Sequence, residues 1–157
     1  MITRRGDQRE RAKQLRSLQA NDTIVFYASL ADVRGSTELV YAIIGLFVVQ
    51  DFILAADIAT HDRETNAHSR RVLAPGAQDL VVRGRPGLSG RLKQCLPIGE
   101  YRNRAYRVRR DLLEEWGGLS VRDGYVQRSA RLPLFRDAPR FLRWMEKQRP
   151  VLIQANN

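Results

Sequence analysis

LVYAIIGLFVVQ, residues 39–50, decides how the rest of the chain is organised. Its apolar part, 39–49, is eleven residues long, short of the roughly 20 that a bilayer-crossing helix needs. β-Branched and aromatic residues fill it, so it reads as a central strand covered on both faces. Just upstream, TIVFYASL at 23–30 follows an Asn21-Asp22 turn and reads as a second strand. A loop carrying Arg34 and Gly35 makes the two an antiparallel pair. Before them, DQRERAKQLRSLQ at 7–19 puts Leu15 and Leu18 on one side of a short amphipathic helix. After them, 51–77 predicts a helix or two with irregular chain, ending before Pro75-Gly76. A third strand is expected at 79–83, a helical turn at 89–96, a fourth strand at 106–109 and a short helix at 111–116 stopped by Gly117-Gly118. A fifth strand at 125–130 and a terminal helix at 139–148 complete the chain. Such an order lacks the long regular helices of a doubly wound sheet and predicts α+β, a mixed, curved sheet or small barrel flanked by short helices.

A length of 157 residues supports one domain, 1–157, with one core. Charge is the unusual quantity. Lys and Arg number 27 against 17 Asp and Glu, a formal +10, which draws polyanions by long-range steering. Only Lys13, Lys93 and Lys147 are lysines, so the charge is carried by guanidinium groups, whose planar fork suits phosphate, guanine edges and stacking on bases. The lone Cys95 excludes an internal disulfide and a cysteine-based zinc site. A reducing, cytoplasmic compartment is therefore expected, and the polar, Arg-rich N-terminus is unlike a secretory signal. No membrane association, metal or cofactor is expected.

Five segments carry a resemblance: NDTIVFYASL (21–30), AIIGLFVV (42–49), NAHSRR (66–71), DLVVRGRPGLSGRLKQCLPI (79–98) and GYVQRSARLP (124–133). Together they resemble the nucleotide modification associated domain family of the third type, prokaryotic and phage proteins inferred to act in DNA base modification. More distantly, a strand ending in FYxS followed by one containing IxGxxxV is similar to the opening of EVE and related PUA-like domains, small β-barrels that bind nucleic acids and modified bases. The resemblance implies a nucleotide held at a barrel mouth near Tyr27, Ser29 and the NAHSRR segment. Family members carry an additional N-terminal region before the strand at 23–30, which this chain enters almost directly, so binding is favoured over catalysis.

NAHSRR concentrates an amide, an imidazole and two guanidiniums. On a helix Asn66 and Arg70 share a face, as do His68 and Arg71. Asn reads a base edge and Arg holds phosphate, although Asn66 would serve equally as a helix cap. His61 and His68 are seven apart, too far for the usual i,i+4 zinc pair. The loop GRPGLSGR at 84–91 follows a strand and precedes an expected helical segment, the setting in which backbone amides cradle phosphate. It lacks the Walker A ending and the GxGxxG spacing, which argues against NTP hydrolysis. Arg85, Ser89 and Arg91 there, with Arg128 on the 125–130 strand, are candidate phosphate contacts. Phe26 and Tyr27 point to opposite faces of one strand, and Tyr27 is the candidate base-stacking ring. Trp116 and Trp144 are expected in the core, and Cys95 as a small hydrophobe. The basic runs Arg102, Arg104, Arg107, Arg109, Arg110 and Arg122, Arg128, Arg131 are interleaved with Tyr101, Tyr106 and Tyr125, phosphate binders beside rings.

The expected function is therefore a PUA-like nucleic-acid-binding domain, DNA favoured over RNA, that recognises a modified or flipped nucleotide in a base-modification or phage-conflict setting. Tyr27, Ser29, Arg34, Asn66, His68, Arg70 and Arg71 form its nucleotide site. Two alternatives stand beside it: a base-modifying enzyme with His68 as acid or base and Arg70 or Arg71 as anion clamp, and an RNA-binding module.

Overall fold

The computed structural model describes residues 14–31, 35, 39–65, 70, 72–126 and 132–153. Among them β1 (Thr23–Ala31), β2 (Leu39–Leu54), β3 (Leu80–Gly84), β4 (Gly90–Pro97) and β7 (Leu152–Ile153) form one sheet, while β5 (Gly99–Arg102) and β6 (Ala105–Val108) form a hairpin. Two α-helices lie wholly within the described residues, α1 (Arg110–Glu115) and α2 (Ala138–Lys147), together with short 3-10 turns. The class is α+β, as expected. The sheet is curved and does not close on itself, and every pairing among the described residues is antiparallel rather than mixed. No long crossover helix is present there to return a parallel strand.

β2 is the spine. β1 pairs along one edge, with Ser29 opposite Tyr41, Tyr27 opposite Ile43 and, beyond a bulge, Phe26 opposite Gly45. β3 and β4 lie end to end along the other edge, Phe52 facing Val82 and Gly45 facing Arg91. The helix expected at 89–96 is therefore strand β4. Leu88, Leu92, Cys95 and Leu96 have helical spacing, but the backbone groups of β2 on that edge need partners and take the segment as a strand. Gly90 also admits β7 at close range, since a Cβ there would stand 2.6 Å from the Ile153 carbonyl oxygen. β2 runs on to Leu54, and its first residues, Leu39 and Val40, are 39% and 42% exposed rather than covered.

Of the helix expected at 7–19, the described residues 14–16 form one helical turn. The strands at 79–83 and 106–109 and the helices at 111–116 and 139–148 appear within a residue or two of their expected bounds. Of the strand expected at 125–130, Tyr125 makes a bridge to Arg107 and Val126 is buried; 127–131 lie outside the described residues.

One side of the sheet packs under the helices. Ile43, Val108, Leu112, Trp116, Phe141, Trp144 and Met145 share a single buried cluster. Phe141, Trp144 and Met145 fall on one face of α2 by their i, i+3, i+4 spacing. The Asp137 carboxylate caps that helix by accepting from the Arg140 amide at 3.1 Å. Gly118, with φ +93°, ends α1 by donating to the Leu113 carbonyl at 2.8 Å. Trp116 then meets Trp144, Phe141 and Phe135 at centroid distances of 5.0, 5.3 and 5.7 Å, so both tryptophans are core, as expected.

Candidate nucleic-acid interface

β5 and β6 are joined by Asn103 and Arg104, both at positive φ (52° and 60°), a turn that matches the twist of the flanking strands. Across it Tyr101 faces Tyr106. Their rings meet edge to face at 5.2 Å, and Tyr106 in turn stacks on Tyr41 of β2 at 4.7 Å with 20° between ring planes. The Tyr106 hydroxyl accepts from the Leu39 amide at 3.2 Å. Gly99 permits this approach, because a Cβ on it would lie 2.5 Å from the Tyr41 Cβ. The outer ring, Tyr101, is 66% exposed. Ser29, opposite Tyr41, is exposed beside the same series of rings.

The arginines around the hairpin divide into two kinds. Arg102 is tied down: its guanidinium donates to Glu100 at 2.7 Å, to the Asp123 carboxylate, and to the carbonyls of Val108 and Asp123. Arg107 reaches Asp123 at 3.4 Å and lies over the Tyr125 ring at 5.3 Å, and Arg109 pairs with Asp111 at 3.0 Å. The Arg102 hydrogen bond, followed by the charges of Arg102, Arg107 and Arg110, holds the Asp123 carboxyl below the usual carboxylate range. Arg104, Arg110 and Arg122 are exposed and have no carboxylate in ion-pair range among the described residues. Arg102, Arg107 and Arg110 act on Asp123, and Arg102 also on Glu100; with the exposed Arg104 and Arg122, these arginines outnumber the two carboxylates and leave the region net positive.

The expected site residues are not brought together as one set. Tyr27 lies on the core side of β1, 36% exposed, with its hydroxyl donating to the Val126 carbonyl at 2.7 Å, so it is a partly packed ring rather than a free platform. Ser29, two residues on, shares its face. Arg70 is exposed, whereas Arg34, Asn66, His68, Arg71 and Arg128 lie outside the described residues. Arg91 shares a row with Gly45 and Phe26, which puts it on the opposite face of the sheet from Tyr27 and Ser29. Ser89 is engaged: its hydroxyl accepts from the Val48 amide at 3.0 Å and lies 3.3 Å from the Val48 carbonyl, while the Arg85 amide donates to that carbonyl at 2.8 Å. The 84–91 loop is a break between two collinear strands, not a strand-to-helix turn, so the helix N-terminus expected to support a phosphate is absent there. Cys95, expected as a small packed hydrophobe, is exposed.

A cavity of about 460 Å³, partly open to solvent, lies beside β1; its lining includes Val25, Ile43, Val108, Trp116, Leu119, Val126 and Phe141, together with Leu134 and Leu142, which are 56% and 40% exposed. Several polar side chains on its wall are already committed: Gln14 to the Leu132 amide and carbonyl, Asp22 to the Gln19 amide, and Tyr27 to Val126. A nucleobase placed there would leave most of its polar edge unpaired. Among the described residues no group of three His, Cys, Asp or Glu side chains is arranged to hold a metal ion, and no helix is long and apolar enough to cross a membrane. His61 pairs at 3.4 Å with Asp62, both strongly exposed.

Comparison with known proteins returned no matching family, no matching curated protein and no matching solved structure.

Proposed function

We propose that this chain is a nucleic-acid-binding domain that engages an unpaired or flipped nucleotide at the β5–β6 hairpin, in the setting of DNA base modification. The observation that carries the reading is Tyr101, 66% exposed at the outer end of the Tyr101–Tyr106–Tyr41 series, on a hairpin whose turn carries the exposed Arg104 and whose other face holds Arg102 and Arg107 beside Asp123. A ring fixed by neighbours offers a π-face to any base at little entropic cost, and free guanidiniums supply the phosphate attraction. The +10 net charge adds long-range steering. The DNA-modification setting, and DNA over RNA, rest on the resemblance of the NDTIVFYASL, NAHSRR and GYVQRSARLP segments to the third-type family. The single cysteine, Cys95, free and exposed, suits a reducing cytoplasm.

The test is fluorescence anisotropy with matched single-stranded, duplex and base-modified DNA and with RNA, at 50 and 200 mM salt. Three phosphate contacts predict a log–log salt slope of about −2 on single strands, a loss of roughly 15-fold over that interval. Tightest binding to an oligomer with an unpaired or modified base supports the reading. Binding that ignores salt, or no binding to any of these, contradicts it.

A further inference from the structure

We infer that Arg104 is a dedicated ligand residue, kept in a strained backbone conformation because its guanidinium holds the phosphate next to the base on Tyr101; the inference rests on the hairpin reading above. β5 and β6 are joined by Asn103 and Arg104 alone, at φ 52° and 60°. A two-residue turn of this kind needs positive φ at both places and favours Asn followed by Gly. Asn103 suits its place, since a short amide tolerates the left-handed region. Arg104 does not, because its Cβ crowds the following carbonyl where glycine would sit freely. Nothing among the described residues offsets that cost: Arg104 is exposed, and no hydrogen bond or ion pair engages its guanidinium there. Asp123, also left-handed at φ 51°, differs in being bound by Arg102 and Arg107. Arg149, at φ 48°, marks the end of α2, where its amide donates to the Glu146 carbonyl at 2.9 Å. Strain that the fold itself does not offset gathers at ligand sites. At Arg104 it coincides with a second observation, the exposed Tyr101 ring three residues earlier on the same hairpin. The planar fork of an arginine matches phosphate oxygens. The unit recognised is therefore an unpaired base together with its adjoining phosphate.

The experiment uses the full chain and a DNA duplex with one unpaired thymidine, alone or with an uncharged methylphosphonate in place of the phosphate on its 5′ or its 3′ side. Arg104→Gly is expected to raise the unfolding midpoint by about 2–4 °C and to weaken binding about two- to fivefold. Arg104→Gln keeps the left-handed strain, so it should lose the same affinity without the rise in midpoint. One of the two methylphosphonates should weaken the wild type by a similar factor and leave Arg104→Gly unaffected. Arg149→Gly serves as control, with a raised midpoint and unchanged affinity. The inference is overturned if Arg104→Gly binds as tightly as wild type, if its midpoint does not rise, or if both methylphosphonates weaken wild type and variant alike. Those outcomes leave the hairpin reading standing, whereas a wild-type chain that binds no nucleic acid ends both.

Discussion

Tyr101 and Tyr106 face each other across the β5–β6 turn with their rings edge to face, 5.2 Å between centroids. Tyr106 is held from behind by Tyr41, so it can orient Tyr101 without Tyr101 itself being buried. Tyr101→Ala should therefore leave stability within about 0.5 kcal/mol of wild type, as for an ordinary surface change. It should weaken single-stranded DNA binding by about 1–3 kcal/mol, the usual value of one stacked base. Thermal unfolding and anisotropy on the same preparation check both halves.

Arg104 and Arg102, two residues apart, have different surroundings: Arg104 is exposed at the turn, whereas Arg102 is tied to carboxylates. Arg104 is exposed and has no carboxylate in ion-pair range among the described residues, so Arg104→Gln should flatten the salt slope by about 0.7 on single strands and leave the unfolding midpoint unchanged. Arg102 joins Glu100, Asp123 and the Val108 carbonyl. Arg102→Gln should instead lower the unfolding midpoint while leaving the salt slope almost as it was, an outcome that melts and titrations at several salt concentrations would reveal.

The Asp123 carboxyl is held below its ordinary value, first by its hydrogen bond to Arg102. A folded-state value below the unfolded one means that the unfolded chain takes up the proton first. The stabilisation is complete above the ordinary carboxylate value, about 3.9, and is lost as pH falls from there through the lowered folded value. Unfolding midpoints measured from pH 7 down to pH 2.5 should fall along this limb, and Asp123→Asn should make the fall shallower while lowering the midpoint at pH 7.

Gly99→Ala tests how the hairpin is seated. Its Cβ would press on Tyr41 at 2.5 Å, so the hairpin or the Tyr41 ring must shift, at about 1–3 kcal/mol. A changed near-ultraviolet circular dichroism signal should accompany the loss of stability, together with weaker DNA binding.

Ser89→Ala separates a structural role from a phosphate-binding one. The Ser89 hydroxyl serves the Val48 amide, so its removal should cost about 1–2 kcal/mol and leave DNA affinity unaltered. Reduced affinity at unchanged stability would restore the phosphate role that the sequence pattern suggested.

The paired strands at 23–30 and 39–50 were legible because their β-branched, apolar runs are bounded by turn residues, and the helix at 139–148 because Asp137, Pro139 and the Phe141, Trp144, Met145 spacing agree. β4 was not, since its leucines repeat with a helical period and only the free edge of β2 makes it a strand. β5 and β7 were missed because four and two residues carry too little periodicity to read. The interleaving of Tyr101 and Tyr106 with arginines was visible in the sequence. Which arginines stay free was not, because that depends on Asp123 arriving from twenty-one residues beyond Arg102. The cavity left no trace in the sequence, as its walls come from strands, helices and loops distant in the chain.

Photo-crosslinking of the full chain to single-stranded DNA carrying 5-iodouracil, read by peptide mass spectrometry, tests the site most directly. The account predicts that the crosslinked base lies on Tyr101, and that the yield collapses in Tyr101→Ala. Crosslinks confined to the opposite face of the sheet around Phe26, or to α2, would contradict it.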